Sequence, residues 1–412
     1  MKSAHVFVPV FALVPVIAFL GGGGFSALLG LAGLGALIWL RPDWRPNLPA
    51  LILFVFLIWA AVTETWSPGW QGWVSGSLTG GDFAIETAGL RILLTGLFAL
   101  IVIGAALKVA PQATGLPLIV LRIGLLILLL VLGVASAMPA GFLGLFYDDP
   151  LEIQREGIQN LIRAQIALAI FLPVITAPLW QAERWPPRLL AAVLSLAVLA
   201  MGIRVGAAAV VLGVGVSLMA VLVWQLSRRF AILAVTALPA LLIAAAPLWM
   251  WALVMVGKSA GPSIGDSNLS RVWSWGDTLS RVAEAPIIGH GLQASQTWTK
   301  TFGDLEGFKG PDIFENFRVI PGHPHSMPLQ IWAEAGLIGA LLLAAAMLAL
   351  SLKLAKGPAS RNPGRLAGTM IAATAFAPFL VSYSVWNEAF WAMVALALAA
   401  VMLMSRVEEV WS

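Results

Sequence analysis

The chain has 412 residues, of which 60% are hydrophobic and 11% charged, and its mean hydropathy is +0.92. That balance excludes a soluble globular domain. The absence of cysteine excludes disulfides and thiolate metal sites, and the net charge of +4 says little until its distribution is read.

Runs of about 20 apolar residues cross a bilayer. Hydropathy and length predict about twelve spans, at 6–20, 25–40, 48–64, 86–107, 115–138, 161–180, 189–203, 205–226, 230–256, 327–352, 366–385 and 389–404. The expected fold class is therefore all-α: an integral membrane protein of about 12 transmembrane helices, with one long periplasmic loop containing short helices. Residues 1–412 read as a single polytopic membrane domain, and 257–326 as the long loop within it. Lys2 precedes a short apolar run, but no convincing cleavage site follows at Gly21–Gly24, so a retained first span is expected.

Charge sets the expected orientation. One set of loops holds Lys2, Arg41, Arg45, Lys108, Arg184, Arg188, Arg228, Arg229, Lys353, Lys356, Arg361, Arg365 and Arg406, opposed only by Asp43, Glu183, Glu408 and Glu409. The alternate loops hold most of the acids, including Glu64, Asp82, Glu86, Asp148, Asp149, Glu152 and Glu156. The positive-inside rule puts the first set and both termini in the cytoplasm. The long loop then faces outward, into the periplasm if the membrane is a bacterial inner membrane. Trp66, Trp70 and Trp73, outside the third span, read as an interfacial aromatic belt.

Within the loop, Asn268 to Glu284 predicts a helix from the spacing of Leu269, Val272, Trp273, Leu279 and Val282. Pro286–Gly291 (PIIGHG) ends it, and Gly303 to Gly322 reads as irregular. No internal repeat suggests the inverted halves of a secondary transporter.

Pro321 to Gly339 (PGHPHSMPLQIWAEAGLIG) is the most informative stretch. Pro is tolerated in the first turn of a helix and Ser326 is a good N-cap, so a helix is expected from about Ser326. His325 then lies just outside a helix N-terminus, where unpaired N–H groups favour an anion. Its imidazole suits a general base, and the alternative is a polar residue holding the loop. His323, His325 and His290 could in principle gather a metal, but their spacing is not that of a ligand set and no metal is expected. Gly336, Gly339 and Ala340 read as a small-residue packing face.

His325-Ser326, nine residues, then Gly336-x-x-Gly339 resembles the signature of the O-antigen ligases, membrane glycosyltransferases. O-antigen polymerases and protein O-oligosaccharyltransferases share a looser form. The resemblance implies transfer of a glycan from undecaprenyl diphosphate to lipid A-core, in a lipid bilayer, without cofactor or nucleic acid. It makes His325 the essential histidine. It matches Arg204 to an arginine element at the outer boundary, and Arg271 to the arginine ahead of the Pro-x-x-Gly-x-Gly turn.

Read from the residues, Arg204 either snorkels to headgroups or binds a diphosphate. Arg281 has Asp277 one turn before it as an expected ion-pair partner, which leaves Arg271 the freer cation. Taken with the resemblance, catalytic roles are expected for His325, Arg204 and Arg271, and substrate contacts for Arg281, Ser326, His323, Arg163 and Glu334; the resemblance alone implies one for Glu388. Glu334 lies two turns into a membrane helix and is expected to be a buried packing carboxylate, with Arg204 as a candidate partner. The rival of another class is a transporter or flippase for the same lipid-linked glycan. A zinc-dependent hydrolase is a third reading.

Overall fold

The computed structural model describes residues 4–40, 47–76, 84–109, 115–308, 310–356, 362–380 and 383–411, with only the backbone of 406–411. Of the charges used to orient the chain, Lys2, Arg41, Asp43, Arg45, Asp82 and Arg361 lie outside the described residues, as do the side chains of Arg406, Glu408 and Glu409.

The described chain is nearly all helix. In order come α1 (Phe7–Phe19), α2 (Phe25–Trp39), α3 (Leu48–Thr63), α4 (Ala88–Lys108), α5 (Leu116–Ala137), α6 (Ile158–Gln181) and α7 (Trp185–Arg204). Then follow α8 (Ala208–Leu226), α9 (Arg228–Ala244), α10 (Ala246–Ala260), α11 (Asp266–Glu284), α12 (Met327–Ala355), α13 (Pro363–Phe379) and α14 (Glu388–Trp411). Among the described residues the β-structure is one short antiparallel pair, Val74–Ser75 with Ala84–Ile85, and an isolated bridge from Thr301 to Arg318.

Each of the twelve expected segments carries helix, but not each is long enough to span, and the helix in 366–385 ends at Phe379. Eight helices are long and apolar enough to cross a membrane by length and composition, or nine if one bent pair counts as a single span. The expected spans 6–20 and 25–40 are helices of 13 and 15 residues, shorter than the hydrocarbon thickness asks. The expected span 230–256 is not one rod. It breaks at Ala245 into α9 and α10, bent by 79°. Pro247 in the first turn of α10 cannot donate the bond that would continue α9. The Trp249 indole donates to Leu242 O at 2.9 Å across the bend.

α6 and α14 lie at the centre. Every residue from Ala164 to Val174 is buried, as befits a helix apolar on all sides. The outer helices leave large apolar side chains uncovered, such as Leu130 and Leu226, a surface suited to hydrocarbon. Helix starts use short polar caps: Asn47 accepts from Ala50 N, and Asn362 from Gly364 N and Arg365 N. Glu64 caps from a distance, its carboxylate accepting from Ala88 N and Gly89 N at the start of α4.

The 257–326 segment packs round a second, small core that Ala333 of α12 completes. Val282, Trp298, Phe302, Val319, Ile320 and Ala333 pack together, with Trp273 and Phe308 against them. Lys300 O accepts from Val319 N at 2.9 Å, and Phe317 O from Phe302 N at 3.0 Å, which closes residues 300–319 into an irregular hairpin.

α12 is broken where small-residue helix packing was expected. Gly336 has φ 68° and ψ −170°, so it interrupts the helix. The Pro286–Gly291 turn docks into the gap. Leu337 N donates to Pro286 O at 2.9 Å and Ile338 N to Ile287 O at 3.3 Å. In the other direction His290 N donates to Ala333 O at 2.9 Å and Gly291 N to Glu334 O at 3.0 Å. A Cβ at Gly336 would lie 2.3 Å from Ile287 O, and one at Gly289 2.5 Å from the Glu334 carbonyl. The indoles of Trp59 and Trp66 complete the junction, donating to Ala335 O (2.9 Å) and Gly289 O (3.2 Å). Trp66 is therefore a structural latch as well as an aromatic at the end of α3.

Candidate active site

The chain reaches the start of α12 through Gly322–Ser326. Two carbonyls of this stretch are held from outside. Trp275 on α11 donates its indole N–H to Pro324 O at 3.0 Å, and the Ser295 hydroxyl lies 2.8 Å from Gly322 O. His325 N donates to His323 Nδ1 at 3.2 Å, and the two rings lie 4.3 Å apart between centroids. His325 takes φ 49°, a left-handed conformation that costs a non-glycine residue roughly 1–3 kcal/mol and is held only where the surroundings impose it. The His323 imidazole is pushed down to about 4, first by burial and then by the neighbouring His325. At neutral pH it is uncharged and can accept the His325 N–H.

α11 runs past this corner. It spans Asp266–Glu284, close to the expected 268–284, and turns Arg271 toward a pocket of about 420 Å³ that His325 also lines. Arg271 donates to Ser267 Oγ at 3.1 Å, a neutral partner on its own helix. The pocket's other wall is the 300–319 hairpin, which supplies Phe302, Phe314, Phe317, Asn316 and Arg318. Among the described residues that line it there are two arginines and no carboxylate.

Of the residues expected to act together, Arg271 and His325 share the pocket. Ser326 adjoins it as the N-cap residue of α12, but its side chain makes no capping bond; it is 1% exposed and its hydroxyl has no partner. Pro328 in the first turn removes one of the N–H groups a cap would otherwise serve. Arg204 ends α7, exposed, and does not line the pocket. Arg163 donates to Asn160 at 3.1 Å, and Glu388 forms an ion pair with Arg91 at 3.1 Å.

Two expected pairings are corrected. Arg281 does not pair with Asp277. It bridges to Glu284 at 3.2 Å and lies over the Trp298 ring, because Asp277 is taken by Lys300 at 3.0 Å. Glu334 is not paired with Arg204. It is fully buried and is enclosed by neutral donors: the Ser295 hydroxyl, the Trp386 indole, Gln293 N (3.1 Å), Ser295 N (3.3 Å) and Gln330 (3.4 Å). Several shared donors satisfy a buried carboxylate without a second charge. Glu334 thus ties α12 to the loop after Pro286–Gly291 and to the 383–387 turn. His290 is likewise structural, its Nε2 2.8 Å from Arg281 O.

Arg318, Ser274 and Asn316 also line the pocket and carry no local signal in the sequence. They come from an irregular hairpin and the middle of α11, where periodicity says nothing of what faces a cavity.

Residues 189–344 match the family model described as O-Antigen ligase. The stretch runs from α7 into α12, and takes in Arg204, Arg271, His325, Ser326, Gly336 at the α12 break and Gly339. The O-antigen ligase resemblance read from His325-Ser326 and Gly336-x-x-Gly339 is therefore shown. Two proteins named "Putative polysaccharide ligase" are similar in part. One, from Rickettsia conorii, is 32% identical over 76 residues, 18% of this chain and 18% of its own length. The other, from Rickettsia bellii, is 28% identical over 128 residues, 29% of this chain and 28% of its own length. The chain thus matches less than a third of either relative. Together with the long apolar helices, these likenesses support a multi-pass membrane protein similar to the O-antigen ligases.

Proposed function

We propose that this O-antigen-ligase-like protein transfers a glycan from undecaprenyl diphosphate to lipid A-core on the periplasmic face of a bacterial inner membrane. About twelve spans, the shorter helices among them, would hold the donor's polyprenyl tail. The acceptor hydroxyl attacks the anomeric carbon of the donor's first sugar. The carbon–oxygen bond to the diphosphate breaks, the proton passes to the His325 imidazole, and the diphosphate leaves carrying the displaced electron pair. In-line attack inverts the anomeric centre. Arg271, and Arg204 at the end of α7, hold the departing diphosphate, since fixed cations at developing charge supply a large share of catalysis. Ser326 and His323 support His325.

The observation that carries this reading is the shared pocket: a guanidinium with only a neutral partner and a backbone-strained histidine face one cavity, at a helix start that favours anions. An O-antigen polymerase or a protein O-oligosaccharyltransferase would use the same chemistry with another acceptor. The test is a reconstituted transfer with purified protein, undecaprenyl-diphosphate glycan and rough lipopolysaccharide in EDTA. Wild type is expected to transfer and His325→Ala to lose about 100-fold or more. Undiminished transfer by the variant removes His325 as base. Longer glycan on the lipid carrier, with none on lipopolysaccharide, moves the assignment to a polymerase. Movement of the lipid-linked glycan across the bilayer, with no transfer to any acceptor, would favour the flippase.

A further inference from the structure

We propose that α10 does not cross the membrane but lies along its surface, with the side chains of Leu248, Trp251, Met255 and Val256 sunk among the phospholipid acyl chains of the leaflet that the end of α9 reaches. This contact does not depend on the reaction the protein carries out.

α9 has 17 residues and begins at Arg228 and Arg229, so it covers about 26 Å, most of a hydrocarbon core of about 30 Å. α10 then leaves it at 79°. The bend is built and not loose. Pro247 has no N–H for the Ile243 carbonyl, and the Trp332 indole of α12 donates to that oxygen instead, at 2.8 Å. The Trp249 indole donates to the neighbouring Leu242 carbonyl. Backbone groups freed at a bend need such partners inside a bilayer.

The two faces of α10 differ in what covers them. Ala246, Met250, Val254 and Gly257 are buried, on one side of the helix. Leu248, Trp251, Met255 and Val256 are each more than half exposed and form the opposite stripe, at the i, i+3, i+7, i+8 spacing of one helix face. α11 covers the buried side. A Cβ at Gly257 would lie 2.5 Å from Val272 Cγ2, and one at Gly276 3.4 Å from Val254 Cγ1. The Lys258 ammonium stands 4.0 Å over the Trp273 ring. The two helices therefore run side by side.

The charge of α11 decides between surface and span. α11 carries Asp266, Arg271, Asp277, Arg281 and Glu284. If α10 crossed the bilayer, α11 beside it would bring these groups into hydrocarbon, where a charge is costly. With α10 at the surface, α11 lies on its aqueous side and the stripe faces the acyl chains. The stripe continues the exposed apolar surface of α9 at Leu238 and Leu241, and it stops just before Lys258 and Ser259. An apolar face with a Trp in it and a Lys at its end suits the headgroup–acyl boundary, at a depth of about 5–10 Å.

The test is the depth of single spin labels. The chain has no cysteine, so each introduced one is unique. Leu248→Cys and Met255→Cys are labelled in the full chain, in nanodiscs of phosphatidylethanolamine and phosphatidylglycerol. Depth is read from the ratio of oxygen to nickel-chelate accessibility. At the helical rise the two sites are about 10 Å apart along α10, which a crossing helix turns into about 10 Å of depth. A helix at 79° to an upright α9 reduces that to about 2 Å. Both labels are expected to be open to oxygen and at nearly equal depth. A thermal midpoint equal to wild type checks that each labelled variant is folded, and Ala252→Cys on the same face replaces one that is not. A depth difference near the crossing value overturns the proposal. Labels open to the nickel chelate and closed to oxygen put the stripe in water and overturn it as well. Labels closed to both, with spin–spin broadening between molecules, mean that a second copy covers the stripe, which also overturns the lipid contact.

Discussion

Gly336→Ala tests the junction that fixes the pocket. At φ 68° and ψ −170° the backbone occupies a region open essentially only to glycine, so alanine there costs roughly 1–3 kcal/mol in strain. The added Cβ would also sit 2.3 Å from Ile287 O and 2.6 Å from Gly289 N, both backbone atoms that cannot rotate away. The 286–291 segment must therefore lift. Lifting weakens four backbone bonds: from Leu337 N, Ile338 N, His290 N and Gly291 N. At about 1 kcal/mol each, partial loss of these brings the total to roughly 3–6 kcal/mol. The assay is the thermal midpoint of purified protein in nanodiscs, with limited proteolysis of 257–326 as a local readout. Gly368→Ala is the control. Its Cβ would meet only Val401 Cγ1 at 3.8 Å inside α13, and alanine favours the helix by about 1 kcal/mol. A Gly336→Ala protein as stable and as protease-resistant as Gly368→Ala would refute the reasoning.

Two further outcomes follow from the same region. Glu334→Ala strips the acceptor from Gln293 N, Ser295 N and the Trp386 indole, at roughly 3 kcal/mol or more, and Glu334→Gln should fall between it and wild type; a thermal midpoint for Glu334→Ala equal to that of wild type would show the network to be dispensable. His323 is held at about 4 against an ordinary 6.5, so the unfolded chain binds its proton first as the pH drops. The stability this represents is complete above pH 6.5 and is lost as the pH falls toward 4, by at most roughly 3 kcal/mol. His323→Gln should flatten that limb of the midpoint-versus-pH curve, and a curve of unchanged slope would rule out His323 as its source.

The helices were legible because apolar run length is a local property. The bend at Ala245 was hidden because 230–256 is apolar throughout, and only Pro247 hints at a break. The α12 break was misread for a related reason. Gly336 and Gly339 at helical spacing look like a packing face until a distant turn supplies the backbone partners that make a non-helical glycine stable. Side-chain pairing proved non-local too. Asp277 stands at the right spacing for Arg281, yet Lys300 from the hairpin reaches it first. In the pocket, Arg271 and His325 were legible, since an arginine without a helical acid partner and a histidine before a helix start are local patterns. Arg318 was not, because nothing in a polar, irregular stretch says which side chain faces a cavity.

The junction and the pocket are one construction. α11 carries Arg271, runs directly into Pro286–Gly291, and that turn is bonded into the gap at Gly336. The hairpin carries Arg318, leads into His325, and its small core includes Val282 of α11 and Ala333 of α12. Both walls therefore end on the first three turns of the same helix. The nine residues between His325-Ser326 and Gly336 set how far the histidine stands from the clamp. Lengthening that interval by one residue would rotate Gly336 by about 100° away from Ile287 while leaving every pocket side chain in the sequence. A one-alanine insertion between Leu329 and Gln330 should therefore lower stability as Gly336→Ala does, and should also reduce transfer although no lining residue has changed. Transfer that survives the insertion at the wild-type rate would mean that the pocket is built by the loop alone, and that the clamp serves stability only.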